Sequence, residues 1–414
     1  MSVAFPEIGH EEDFIRQAMA RVEPSFNFSA MVIRMDPFEE KAQRSGDDPK
    51  AIGFLAAAKI VHVICQTDGG IWGRLGPDLL GAYFPGQSRT SALNLAGKIQ
   101  QACAAAGKNT VSIGIADYPS INFHKDQILD NAFKALDHAA FFGPGSMVAF
   151  DAVSLNISGD ILYQQGDIHG AIKEFKDGLL LDPSNLNLHN SLGVCYGALG
   201  AYDRAREEFE TAAGLDATES LAIYNIGMVT LLTGDKDRAL DYFLKARSLG
   251  KDISEVEIQI GRIYFARDCP ENALAYFENA ARLNPVSNPA FRYLGECCLR
   301  LNQSESALQA FKKAIKINPG DAVSLSALGH LYFCQGRNLE IAQTFCEQSV
   351  EIEPENGLFR HRLGQLHLGR NRLEDALQAF EKAEQLGHDS HEFIQQVQAR
   401  LSACSTPGAE ETLN

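Results

Sequence analysis

No stretch of this 414-residue sequence holds the roughly 18 uninterrupted apolar residues that a membrane span requires. The most apolar windows, Gly53 to Cys65 and Leu221 to Leu232, are too short or are broken by polar residues. Positive charge is scarce: 37 Lys and Arg stand against 53 Asp and Glu, a formal charge of −16. Such a surface repels a phosphate backbone and anionic lipid, which excludes a broad nucleic-acid footprint and a polybasic membrane anchor. Cysteine is limited to nine residues, an odd number with no Cys-x-x-Cys pair, which fits a reducing cytosol better than an oxidising compartment. The opening residues carry no basic stretch followed by an apolar core, so no secretory signal is read. A soluble, cytoplasmic protein is expected. With 45% hydrophobic and 22% charged residues the composition is ordinary for a globular chain, and the length suggests about two or three domains.

Familiar catalytic and metal patterns are also missing. The eleven histidines include no i, i+4 pair beside a glutamate, as a helical zinc site would need; His388 and His391 read as surface residues near a helix start. Gly69-Gly70 and Gly73 are not followed by Gly-Lys-Ser/Thr, which excludes a P-loop. No catalytic residues and no metal ligands are assigned. Cys297 and Cys298, adjacent on one helix, point in different directions. Cys195, Cys334 and Cys346 occupy positions suited to small apolar side chains, and free cysteine packs as one. Trp72, the single tryptophan, reads as a core residue of a hairpin strand.

What the sequence does have is repetition. Gly recurs at 159, 193, 227, 261, 295, 329 and 364, a spacing of 34 residues five times and then 35. Ala171, Ala205, Ala239, Ala273, Ala307, Ala342 and Ala376 follow, then Phe175, Phe209, Phe243, Phe277, Phe311 and Phe380, with Cys346 in the sixth repeat. Small residues at the Gly and Ala columns let two antiparallel helices approach closely, with Phe expected to fill the space between neighbouring hairpins. Seven residues after each Gly stand Gly166, Gly200, Gly234, Asp268, Asn302, Gly336 and Asn371. All are types that tolerate a left-handed backbone, as a helix–helix turn demands. His391 to Ala403, with Phe393, Val397 and Leu401 on one face, reads as a closing helix.

These columns resemble the tetratricopeptide repeat, in seven copies from residue 152 to about 387. The resemblance implies an all-α solenoid whose first helices line a groove for a protein or peptide partner. Its groove positions fall at Val194, Tyr224, Met228, Leu231, Leu232, Ile258 and Phe265, then at Arg262, Arg292, Arg300, His330, Phe333 and His361. An apolar stretch beside a basic one suits an acidic peptide with apolar anchors, although several of these aliphatics also suit packing between helices. The carboxylate clamp of chaperone-binding members is not matched, since its positions hold Asn156, Asn190, Arg292 and Arg300.

Residues 1–151 alternate differently. Helices are expected at Glu11 to Val22, Ala51 to Cys65, Ser88 to Ala106 and Asp126 to Phe141. Strands are expected at Phe28 to Met35, Gly70 to Leu75, Leu79 to Phe84, Thr110 to Ala116 and Met147 to Phe150. That order predicts an α+β domain with a mainly antiparallel, helix-covered sheet, running into the repeats of 152–404 and a disordered tail at 405–414.

Gly76-Pro77-Asp78-Leu79-Leu80 between two strands resembles the GGDEF hairpin of bacterial diguanylate cyclases. Val111 to Ala116, Asp130 to Leu136, Met147 to Asp151 and Asp36-Pro37-Phe38 are similar to neighbouring elements of that family. The resemblance implies a cyclase-like fold and a place in bacterial signalling. It also implies Mg²⁺ and GTP, yet the residues depart from it. Arg34 stands where the first-strand metal carboxylate belongs, Pro77 has no N–H to give a phosphate, and Ala42-Gln43 replace the guanine-reading pair. An Arg-x-x-Asp inhibitory site is also absent before the hairpin. A shifted alignment makes Asp36 and Asp78 the metal ligands. The leading expectation is a non-catalytic adaptor without cofactor. The alternative is a divergent cyclase, or a GTP or cyclic-di-GMP receptor, regulated by the repeats.

Overall fold

The computed structural model describes residues 11–36, 49–106, 110–250 and 252–405. Pro37, Phe38, Ala42, Gln43 and the expected tail beyond Ser405 lie outside the described residues. Contacts divide the chain into two compact units, Met1–Asn225 and Ile226–Asn414.

The first unit opens with helix α1 (Glu11–Val22), strand β1 (Phe28–Met35), helix α2 (Pro49–Asp68) and the hairpin β2 (Ile71–Arg74) and β3 (Leu79–Pro85). Helix α3 (Arg89–Ala106), strand β4 (Val111–Tyr118), helix α4 (Ile128–Ala140) and strand β5 (Met147–Ala149) follow. The five strands form one sheet in the order β2-β3-β1-β4-β5. Three neighbouring pairs are antiparallel and β4–β5 is parallel, so the sheet is mixed. Its α+β character matches the expectation, with element ends shifted by a few residues.

The two-residue period of β1 explains both layers. Met31 and Ile33 enter a core built from α2 and α3, with Phe54, Val61, Leu95 and Ile99. Phe28, Ala30 and Val32 face the opposite way, into a core with Phe14 and Val22 of α1 and Ile128 and Leu136 of α4. Gly114 of β4 lets α4 lie on the sheet: a Cβ there would sit 2.0 Å from the Ala132 carbonyl oxygen. Leu155 and Leu181 of the first hairpin complete the second layer, so no linker separates sheet from repeats. Trp72 is half-buried, and its indole N–H donates to Nδ1 of His62 at 3.0 Å.

The first unit continues through helices α5 (Ala152–Gln164), α6 (Ile168–Leu181), α7 (Leu186–Ala198) and α8 (Tyr202–Leu215), and α9 (Ser220–Leu232) spans the division. The second unit holds α10 (Lys236–Ser248), α11 (Ser254–Ala266), α12 (Pro270–Leu283), α13 (Asn288–Arg300) and α14 (Ser304–Ile317). It closes with α15 (Ala322–Cys334), α16 (Leu339–Ile352), α17 (Gly357–Gly369), α18 (Leu373–Gln385) and the end helix α19 (His391–Ser405). All seven turn residues have positive φ, from 56° at Asp268 to 96° at Gly234. The extra residue of the sixth repeat is absorbed in its turn, where Gly336 and Asn338 are both left-handed. Side chains cap helix starts where the sequence supplies them: Asp167 accepts from the Gly170 N–H and Asp235 from that of Arg238.

The Phe column corrects one expectation. Each ring stands over the Gly of its own repeat rather than only between hairpins. A Cβ at that Gly would lie from 2.3 Å (Gly159 on Phe175) to 2.8 Å (Gly364 on Phe380) from the ring. Ring and glycine are therefore one packing device inside the hairpin. Phe277 also reaches onward, stacking on Tyr293 of the next repeat at 5.5 Å.

Candidate functional site

Two regions carry candidate chemistry. At the hairpin between β2 and β3, Gly76, Pro77 and Asp78 form the turn. The Arg74 side chain closes it, donating from Nε to the Gly76 carbonyl at 2.7 Å and from a terminal nitrogen to that of Pro77 at 3.3 Å. Leu79 pairs with Arg34 across the sheet, and Leu80 is buried opposite Ile33. Arg34 thus sits between β3 and β4, and it opposes the upward shift that burial gives the carboxyl of Asp137.

Asp36 is fully occupied. One carboxylate oxygen accepts from the Ser112 hydroxyl at 2.6 Å; the other accepts from the Thr110 hydroxyl and the Gly145 N–H, both at 2.7 Å. This carboxylate ties the end of β1 to the start of β4 and to the turn before β5. Among the described residues no three His, Cys, Asp or Glu side chains gather as a cation site. The residues do not fit the Mg²⁺ ions that the cyclase resemblance implies.

The second region is the row of first helices in the second unit. Leu232, 58% exposed, and Arg262 face solvent, while Met228, Leu231, Phe265, Arg292, His330 and Phe333 are half-buried. In the first unit Val194 is exposed and Tyr224 half-buried.

Four of the residues read as groove-lining prove to be otherwise engaged. Ile258 is buried with Ala280, Ala290 and Phe291. His361 is buried against the end helix: its Nδ1 lies 2.8 Å from the Ser390 hydroxyl, and its ring sits 4.9 Å from Phe393. Phe333 packs over Gly369, where a Cβ would fall 2.4 Å from its ring. Arg300 pairs with Asp268 at 2.7 Å and lies over Phe265. Ile258, Phe333 and His361 share one physical reason: helix positions that face a groove at one repeat face the next hairpin or the end helix at another; Arg300 instead reaches back to the turn of the preceding repeat.

Cys334 departs from expectation too, being exposed with its sulfur 3.5 Å from Nε2 of His330. Burial and the nearby Arg362 and His361 bring the His330 pKa down to about 4, so its ring is neutral at pH 7.

Three guanidiniums gather on these helices. Arg292 and Arg262 lie over the Tyr293 ring at 4.8 Å and 5.4 Å. Arg362 on α17 donates to the Ser326 hydroxyl at 3.1 Å. Glu296 lies in the field of all three; burial raises its pKa and the arginines oppose that shift. Glu296, Arg362 and Tyr293 were not among the residues read from sequence. Glu296 stands one residue after Gly295, in the same column as Arg262, so the repeat spacing could have found it. Arg362 falls between the columns, and only packing brings it in.

Tetratricopeptide repeat profiles match residues 159–200, 186–219 and 258–322. The chain carries tetratricopeptide repeats. Solved structures similar to it include PilF from Pseudomonas aeruginosa, at 20% identity over 50% of this chain and 95% of that one, with a TM-score of 0.47. A tetratricopeptide repeat protein from Parabacteroides merdae matches at 18% identity over 59% of this chain and 96% of its own, with a TM-score of 0.41. MamA from Desulfovibrio magneticus matches at 23% identity over 41% and 94%, with a TM-score of 0.36. No curated protein matches the chain. On the first helices of the tetratricopeptide repeats, then, exposed aliphatics neighbour a cationic cluster.

Proposed function

We propose that the protein is a non-catalytic interaction adaptor, with the tetratricopeptide repeats of residues 152–404 gripping a protein or peptide partner and residues 1–151 acting as a docking module. The observation that carries this reading is the row of first-helix residues Met228, Leu231, Leu232 and Arg262, apolar or cationic yet left partly or fully open. Apolar side chains at helix positions that could be buried are a cost to the free protein unless a partner covers them. Among the described residues no helix is long and apolar enough to cross a membrane. The eight cysteines whose side chains are described are free thiols, which fits a reducing cytoplasm.

The first domain, in this reading, is a cyclase-like relic. The hairpin beside the central strand supports the likeness. The occupation of Asp36 by three hydrogen bonds, and Arg34 in place of a carboxylate, support the loss of turnover. Leu232→Glu tests the adaptor reading: peptide capture by the full chain should fall about tenfold while the circular dichroism spectrum stays unchanged. Undiminished capture would move the contact surface off the first helices.

A further inference from the structure

We propose that Arg262, Arg292 and Arg362, arrayed around Glu296 on the first helices of the fourth, fifth and seventh repeats, form an anchor for one carboxylate of an acidic peptide. Glu296 holds that carboxylate's place in its absence. The inference rests on the adaptor reading and names the chemistry of the partner's anchor.

The hydrogen bonding of Arg292 is incomplete. Its Nε lies 3.8 Å from Glu296 and one terminal nitrogen 3.9 Å from Asp321, both beyond hydrogen-bond reach. The buried Nε has no hydrogen-bond partner among the described residues. A buried guanidinium nitrogen left this way is costly; the Arg292 side chain as a whole is 28% exposed, so a carboxylate can reach the guanidinium from its open side. Asp321 is held back from it: its Oδ2 accepts from Asn288 at 3.0 Å and from the Ser324 hydroxyl at 2.6 Å, which leaves Oδ1 3.9 Å from the guanidinium. Arg362 likewise has one neutral partner, the Ser326 hydroxyl, and burial lowers its pKa. Among the described residues Arg262 donates to the amide oxygen of Gln259 alone, at 3.0 Å.

Charge selects the ligand. The three guanidiniums face two carboxylates, Glu296 and Asp321, which leaves an excess of one positive charge. Of the other titratable groups around Arg362, His330 and His361 are neutral at pH 7, both with pKa values down at about 4, and burial pushes the thiols of Cys334 and Cys346 up. One carboxylate restores neutrality, whereas a dianionic phosphate would overshoot it beside Glu296. The Tyr293 ring beneath Arg262 and Arg292 keeps both guanidiniums oriented, which lowers the entropy lost when a ligand is seized.

The experiment selects binders to the full chain from a displayed library of random short peptides. The selected peptides should carry an acidic residue whose change to the amide weakens binding about tenfold, and Arg292→Gln or Arg262→Gln should do the same. Both variants are expected to melt like the parent, so the loss reports contact rather than unfolding. Glu296→Gln should tighten binding several-fold, because it removes the resident competitor; a structural ion pair would not behave so. Peptides that lose affinity with Leu232→Glu but ignore the arginine variants and their own Glu-to-Gln change would overturn the anchor and leave the groove reading standing. If the phosphoserine counterpart of a selected peptide binds tighter than the glutamate form, the carboxylate assignment falls. Selected peptides indifferent to every first-helix substitution would overturn both readings.

Discussion

Asp36 in the sheet domain and Arg292 in the repeats are both charged and partly buried, yet their surroundings differ. Three donors at 2.6–2.7 Å surround the Asp36 carboxylate, drawn from β4 and the turn before β5. Arg292 has its two carboxylate neighbours at 3.8 and 3.9 Å and an unmatched Nε. A charge whose hydrogen bonds are complete belongs to the architecture; one whose bonds are incomplete, on an accessible helix face, is available to something else. In the sheet domain Asp36 acts as a fastener between β1, β4 and the turn before β5, whereas Arg292 on α13 keeps an unused contact.

The largest expected effect lies in the repeats' own packing. Phe277→Ala empties a fully buried site over Gly261 and against Tyr293, and should cost about 3–5 kcal/mol of stability in urea unfolding of the second unit. A loss below 1 kcal/mol would mean that the ring column is not what holds the hairpins.

Next comes the contrast itself. Asp36→Ala strands two hydroxyls and an N–H, and should cost about 2–3 kcal/mol. Arg292→Gln should cost no more than about 1 kcal/mol, because loose, partly exposed ion pairs contribute little. Equal losses at the two sites, read in thermal melts, would erase the distinction between them.

A smaller effect is expected from pH. His361 and His330 have native pKa values near 4 against an ordinary 6.5, so the unfolded chain binds protons that the folded chain refuses. Their contribution is complete above pH 6.5 and declines as pH falls toward 4, by about 1 kcal/mol each at pH 5.5. His361→Phe, which keeps a ring between α18 and α19, should flatten that decline; an unchanged acid profile would assign it to carboxylates instead.

The repeats were legible in the sequence because each column expresses a local demand that recurs. A Gly must admit its own Phe, and a turn must adopt positive φ, so seven copies announce themselves. The strand and helix order of the first domain was readable from periodicity for the same reason. Long-range uses of single residues were not. Asp36 meets partners more than seventy positions away, and nothing near it in sequence marks them. The groove list fared unevenly because a column fixes where a position lies on its own helix, not what the neighbouring hairpin places against it. His361 therefore vanished beneath α19 and Arg362, one residue on, emerged.

Cys334 gives the molecule a built-in address. Of the eight cysteines whose side chains are described it alone is exposed; Cys269 is half-buried and the other six are buried. Its sulfur lies beside His330, itself in the field of Arg362. With Cys269 and Cys404 replaced by alanine, a dye on Cys334 would sit next to the cationic cluster and report, by a change of colour or brightness, when a ligand settles there.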